Sequence, residues 1–108
     1  MAGRLNKIFP RGRVIDTVVA QDTDIFGTGL VVERPAVLRI NVAFSANTVL
    51  YVTGISATRL ALNDGWALDA DEMYAFDVPV RNGDEVNFQI SVGGTVRLFD
   101  VTEIPWGA

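Results

Sequence analysis

The chain has 108 residues, 49% of them apolar and 20% charged, with no cysteine, no histidine and a net charge of −4. That is one apolar-rich globular domain, which excludes a disordered chain, and no apolar run approaches the ~20 residues of a membrane span. Without cysteine or histidine, disulfides, thiolate nucleophiles, sulfur-ligated metals and the commonest general base are all missing.

The charge is split along the chain. Residues 1–13 carry Arg4, Lys7, Arg11 and Arg13 and no acid, so a +4 arm precedes a −8 remainder. An acidic body cannot bury guanidinium groups cheaply, because each keeps its charge. The arm is therefore expected to lie on something else. We place an arm at residues 1–12 and a single β domain at residues 13–108. Leu5, Ile8, Phe9 and Pro10 interrupt the charges. Protein docking, with Ile8 and Phe9 as anchors and Arg4, Lys7, Arg11 and Arg13 setting register, ranks first. An idle terminus ranks second and nucleic-acid binding third. The basic start lacks an apolar h-region and a small-residue cleavage site, so no secretory signal and no membrane partner are expected.

Along the chain, period-two alternation dominates and no helical stripe appears. Arg13–Ala20 reads as a first strand, and residues 29–33 as a short one after a polar loop. Leu38, Ile40, Val42 and Phe44 alternate with Arg39, Asn41 and Ala43. Ser45-Ala46-Asn47 then reads as a three-residue hairpin loop with Asn47 in the left-handed position, setting Val42 opposite Leu50 and Ile40 opposite Val52. Asn63-Asp64-Gly65 does the same for Leu62 and Trp66.

Tyr74, Phe76, Val78 and Val80 form the next apolar face, and Pro79 favours an edge position there because it lacks a ladder donor. A two-residue turn at Asn82-Gly83 would mix apolar and polar faces. Either that loop is longer or the flanking strands lie in different sheets. Val86, Phe88, Ile90 and Val92 alternate cleanly with Glu85, Asn87, Gln89 and Ser91. A Gly93-Gly94 turn would pair Phe88 with Phe99 and Val86 with Val101, with a bulge near Arg97 and Leu98. About eight short strands at close spacing predict an all-β, single-domain antiparallel β-sandwich, jelly-roll-like.

Asp64, Asp69, Asp71 and Glu72 are the best metal candidate, but they lack the spacing and central glycine of a calcium loop, as does Asp22-Thr23-Asp24. We read both as solvated loop carboxylates and expect no cofactor. Trp66, Tyr51, Tyr74 and Trp106 are candidates for a sugar platform. Trp66 and Tyr74 fall on inward phases and read as core, whereas Trp106, past the last strand, is a candidate partner contact. No motif tunes a carboxylate for catalysis, so no enzyme is expected.

The run Leu68-Asp69-Ala70-Asp71-Glu72-Met73-Tyr74-Ala75-Phe76-Asp77-Val78-Pro79-Val80, followed by Gly83-Asp84-Glu85-Val86-Asn87-Phe88, resembles a phrase of small β-sandwich virion proteins of phages and other viruses. These include capsid decoration and fibre-like components. It also resembles jelly-roll carbohydrate-binding modules. The first resemblance implies a non-enzymatic structural protein of a viral particle, assembling with itself and with other virion proteins, often through a terminal arm. The second implies a sugar-binding module.

Overall fold

The computed structural model describes residues 8–53 and 65–105. The eight strands are β1 (Phe9–Val19), β2 (Leu30–Val31), β3 (Ala36–Phe44), β4 (Thr48–Thr53), β5 (Trp66–Leu68), β6 (Tyr74–Val80), β7 (Glu85–Ile90) and β8 (Gly94–Pro105). They form two four-stranded sheets, in the orders β1-β8-β3-β6 and β2-β7-β4-β5. The antiparallel pairs β1–β8, β2–β7, β3–β6 and β4–β5 describe one long ribbon folded at its middle. Rolling that ribbon adds β3–β8 and β4–β7 and produces the jelly-roll order. The fold is an all-β sandwich.

The inward phases read from the sequence fill its core. Leu38, Ile40 and Val42 from one sheet and Leu50, Val52, Val86 and Phe88 from the other are fully buried. Each such side chain contributes roughly 1.5–3 kcal/mol by leaving water. Phe88 and Phe99 meet edge-on across the sandwich at 5.1 Å, and Phe26, from the β1–β2 connection, closes on both. On the other side the Trp66 and Phe76 rings stack at 4.3 Å, linking edge strands β5 and β6.

The expected register needs correction at two turns. Residues 45–47 and 93–94 do not close hairpins, because β3 and β8 lie in one sheet and β4 and β7 in the other. Both turns are arches. An apolar phase faces inward whether its partner lies across a ladder or across the core, so Phe88 and Phe99 touch without pairing. Asn47 is not left-handed either: the aspartates Asp16, Asp22 and Asp71 are the non-glycine residues with positive φ among those described. Instead the Asn47 side-chain carbonyl accepts the Ala70 N–H at 2.7 Å.

Other expectations hold. Residues 81–84 cross between sheets, which explains the mixed faces, and β6 with Pro79 is an edge strand. The bulge at Arg97 is present, although in the β3–β8 pair: Ala43 faces Leu98 and Phe44 faces Val96, so Arg97 is passed over. The expected pairing of Leu62 with Trp66 rests on Leu62, which lies outside the described residues.

Candidate assembly surfaces

β1 begins at Phe9, so the boundary placed near Gly12 falls inside a strand. Its register with β8 shifts between Pro10 and Gly12, leaving Arg11 as the extra residue of a bulge. A bulge re-aims the side chain it carries. Here the Arg11 guanidinium reaches the carboxylate of Glu103 on β8 and donates to the Val31 carbonyl of β2 at 3.0 Å. Glu103 is 1% exposed. Arg34 Nε stands 3.1 Å from its second oxygen, close enough for charge attraction but out of line for a hydrogen bond. The Arg34 guanidinium also covers the Phe9 ring, 4.6 Å from its centroid. These side chains, with Pro10 and Glu33, line a shallow depression of about 280 Å³.

The second half of the basic arm is therefore held by its own domain. Arg11 pairs with Glu103, and Arg13 Nε lies 3.5 Å from Asp100. A buried carboxylate on an inward phase needs a cation, and that requirement outweighs the cost of drawing in Arg11. The signal was present in the sequence, because Glu103 continues the inward alternation of Phe99 and Val101. Of the other arm residues, Ile8 is 55% exposed, and Arg4 and Lys7 lie outside the described residues, as does Trp106.

Residues 20–24, 45–47, 69–73 and 91–93 gather at the opposite end of the strands from Phe9. Hydrogen bonds tie them together. Ser45 Oγ accepts the Thr95 N–H at 3.1 Å, the Asp71 N–H donates to the Phe44 carbonyl at 2.7 Å, and Thr48 Oγ1 accepts the Val92 N–H at 3.1 Å. A Cβ at Gly93 would stand 3.0 Å from the Gln21 backbone nitrogen, so these two loops also touch.

The four segments carry Asp22, Asp24, Asp69, Asp71 and Glu72 and no cation. Asp24 is structural: its carboxylate accepts the N–H of Phe88 at 2.8 Å and of Phe26 at 3.2 Å. Burial pushes its carboxyl above the ordinary range, against the lowering effect of the Phe88, Phe26 and Gly27 N–H groups. Asp71 pairs with Arg97 on β8 at 3.2 Å. Among the described residues no three acids converge to hold a metal ion. Asp64 lies outside them. Asp22, Asp69 and Glu72 remain exposed.

Trp66 and Tyr74 pack against the core, as their phases predict, and Tyr51 is half-buried. The rings of Trp66, Phe76 and Tyr74 are nearly parallel, at 14° and 5°. Comparison with known proteins gives no match to a family model, a curated protein or a solved structure.

Proposed function

We propose that this chain is a non-enzymatic structural subunit of a viral particle, acting by self-association and by docking on neighbouring virion proteins. The observation that carries the reading is a loop end whose own segments hold no cation, opposite the end at which a basic segment enters the sandwich. Those loops carry five carboxylates, of which Asp71 pairs with Arg97 of β8, Asp24 accepts backbone N–H groups, and Asp22, Asp69 and Glu72 are exposed. At the other end the chain enters β1 from a segment bearing Arg4 and Lys7 and no acid. Such polarity suits heterologous contacts between copies, which close into rings or extend as lattices. The jelly roll adds support, since it recurs in capsid domains, although lectins and cupins use it too.

The test is the solution mass by light scattering at low and high salt. A defined oligomer that loosens with salt is expected, and deleting residues 1–7 should abolish it while the domain stays folded. The deletion stops at Lys7 because Phe9–Arg13 belong to β1. A single-chain mass under all conditions would overturn the reading.

The second reading, a carbohydrate-binding module, draws on the near-parallel Trp66, Phe76 and Tyr74 rings. Against it, Phe76 stacks with both of its neighbours, which leaves less ring face for a sugar. Millimolar binding in a sugar panel, lost in Trp66→Ala, would favour it over assembly.

A further inference from the structure

Of the six large apolar side chains exposed among the described residues, Ile8 and Val31 lie at the amino-terminal end and Ile15 midway along β1, while the other three share the opposite end. Val18 is 78% exposed, Met73 65% and Val92 48%, and all three lie at or beside the acidic loop end. Val18 sits opposite Thr95 at the end of β1, Val92 lies in the β7–β8 arch, and Met73 closes the 69–73 segment. Hydrogen bonds tie the segments that carry Met73 and Val92 to the 45–48 turn between them, while Val18 stands at the β1 edge of the same end. Apolar groups left in water and rimmed by carboxylates mark a protein-docking surface.

We propose that this end is the acceptor for the amino-terminal segment of a second copy of the chain. The inference deepens the assembly reading and rests on it. The occupant is chosen by complementarity. Residues 1–7 contain Arg4, Leu5 and Lys7 and no acid, and Ile8, which follows them, is exposed. That segment offers cations to Asp22, Asp69 and Glu72 and apolar groups to Met73 and Val92. β1 begins at the end of the sandwich away from these loops, so an arm of one copy seated on the loop end of another gives a head-to-tail contact.

Strand addition along the β1 edge is the rival mode of self-association, and the edge is blunted against it. Pro10 lacks a donor, Arg11 forms a bulge and Asp16 has φ of +47°. The regular stretch between these interruptions is only Gly12–Ile15.

The experiment uses charge reversal at both ends of the full chain, with association followed by light scattering at low salt. Asp69→Lys with Glu72→Lys should weaken association by at least about a hundredfold, on the scale of placing like charges together. Arg4→Glu with Lys7→Glu should do the same. Mixing the two variants should then restore association, with the two kinds of copy alternating. The reversed acceptor fits the reversed arm, and the native arm of the one variant fits the native acceptor of the other. Unchanged circular dichroism shows that both variants fold. If Asp69→Lys/Glu72→Lys assembles as the parent does, this acceptor is wrong while self-association stands. If the mixture stays as separate chains, the pairing of arm with loop end is wrong. If the parent chain is itself monomeric, the assembly reading falls and takes this inference with it.

Discussion

Arg11 and Glu103 lie on neighbouring strands of one sheet, yet their contact holds both sheets together. The guanidinium that meets the Glu103 carboxylate also donates to the Val31 carbonyl on β2, which belongs to the other sheet. Glu103 in turn sits in line with Phe99 and Val101 and has almost no water of its own.

Removing either partner alone should therefore be costly. Arg11→Ala is expected to destabilise by about 3 kcal/mol, the low end for breaking a buried pair, because Arg11 is partly exposed and Arg34 stays near. The double variant Arg11→Met with Glu103→Leu should recover most of that loss, since no charge is then left stranded. Urea unfolding at neutral pH reads both values from the midpoint at constant slope. An Arg11→Ala cost below about 1 kcal/mol would mean that the clamp contributes no more than a surface pair.

Gly12, the next residue, has a different task. A Cβ there would stand 2.8 Å from Cε1 and 2.9 Å from Cζ of the Phe26 ring. That ring is wedged edge-on against Phe88 and Phe99 and has little room to retreat. Gly12→Ala is expected to cost about 1–3 kcal/mol, the usual range for overpacking. Adding Phe26→Leu should make the pair less destabilised than the sum of the single changes. Strict additivity would show that the Gly12 contact is irrelevant.

The strands were legible because burial on one face imposes period two, and Leu38–Phe44 and Val86–Ile90 declare it without interruption. Which strands pair was not legible from apolar phase alone. Val42 and Leu50 face the core from opposite sheets, and a hairpin would have placed them on the same phase. At residues 81–84 an arch was one of two readings open in advance, the other being a longer loop, because a tight turn would have set Val80 against Glu85. The clamp stayed hidden because it depends on a bulge. Without the extra residue in β1, the alternation of Phe9, Arg11 and Arg13 gives no hint that Arg11 turns toward β2. The acidic loop end was likewise unreadable, since Asp22 reaches the same end of the sandwich as Asp69 and Glu72 only when the ribbon is rolled.

Asp24 links the β1–β2 connection to the edge of β7. Asp24→Ala leaves the Phe88 and Phe26 N–H groups without their acceptor, so a loss of about 2 kcal/mol is expected. Amide hydrogen exchange gives a local readout. The Phe88 amide should lose protection by more than amides in the β3–β8 ladder, as local opening at that edge becomes easier. A uniform change across both sheets would contradict a role confined to this edge.

Asp24 and Asp77 should drive the acid response in opposite directions. On Asp77, hydrogen bonds of 3.0 and 3.2 Å from Arg39 hold the carboxyl below its usual value of 3.8. Its folded pKa lies under the unfolded one, so its stabilisation is complete above about pH 4 and is lost as pH falls through the folded value. Burial raises Asp24 above 3.8 instead. Between that value and its raised folded pKa, the folded state holds the proton more tightly than the unfolded state does. Acidification from neutral pH through this window therefore adds stability. The stability deficit of Asp77→Asn relative to the parent should shrink as pH drops below about 4. The deficit of Asp24→Asn should grow as pH drops from neutral toward 4. Urea midpoints taken between pH 7 and 3 for the three proteins separate the two effects. Curves that run parallel throughout would show that neither carboxyl changes its proton affinity on folding.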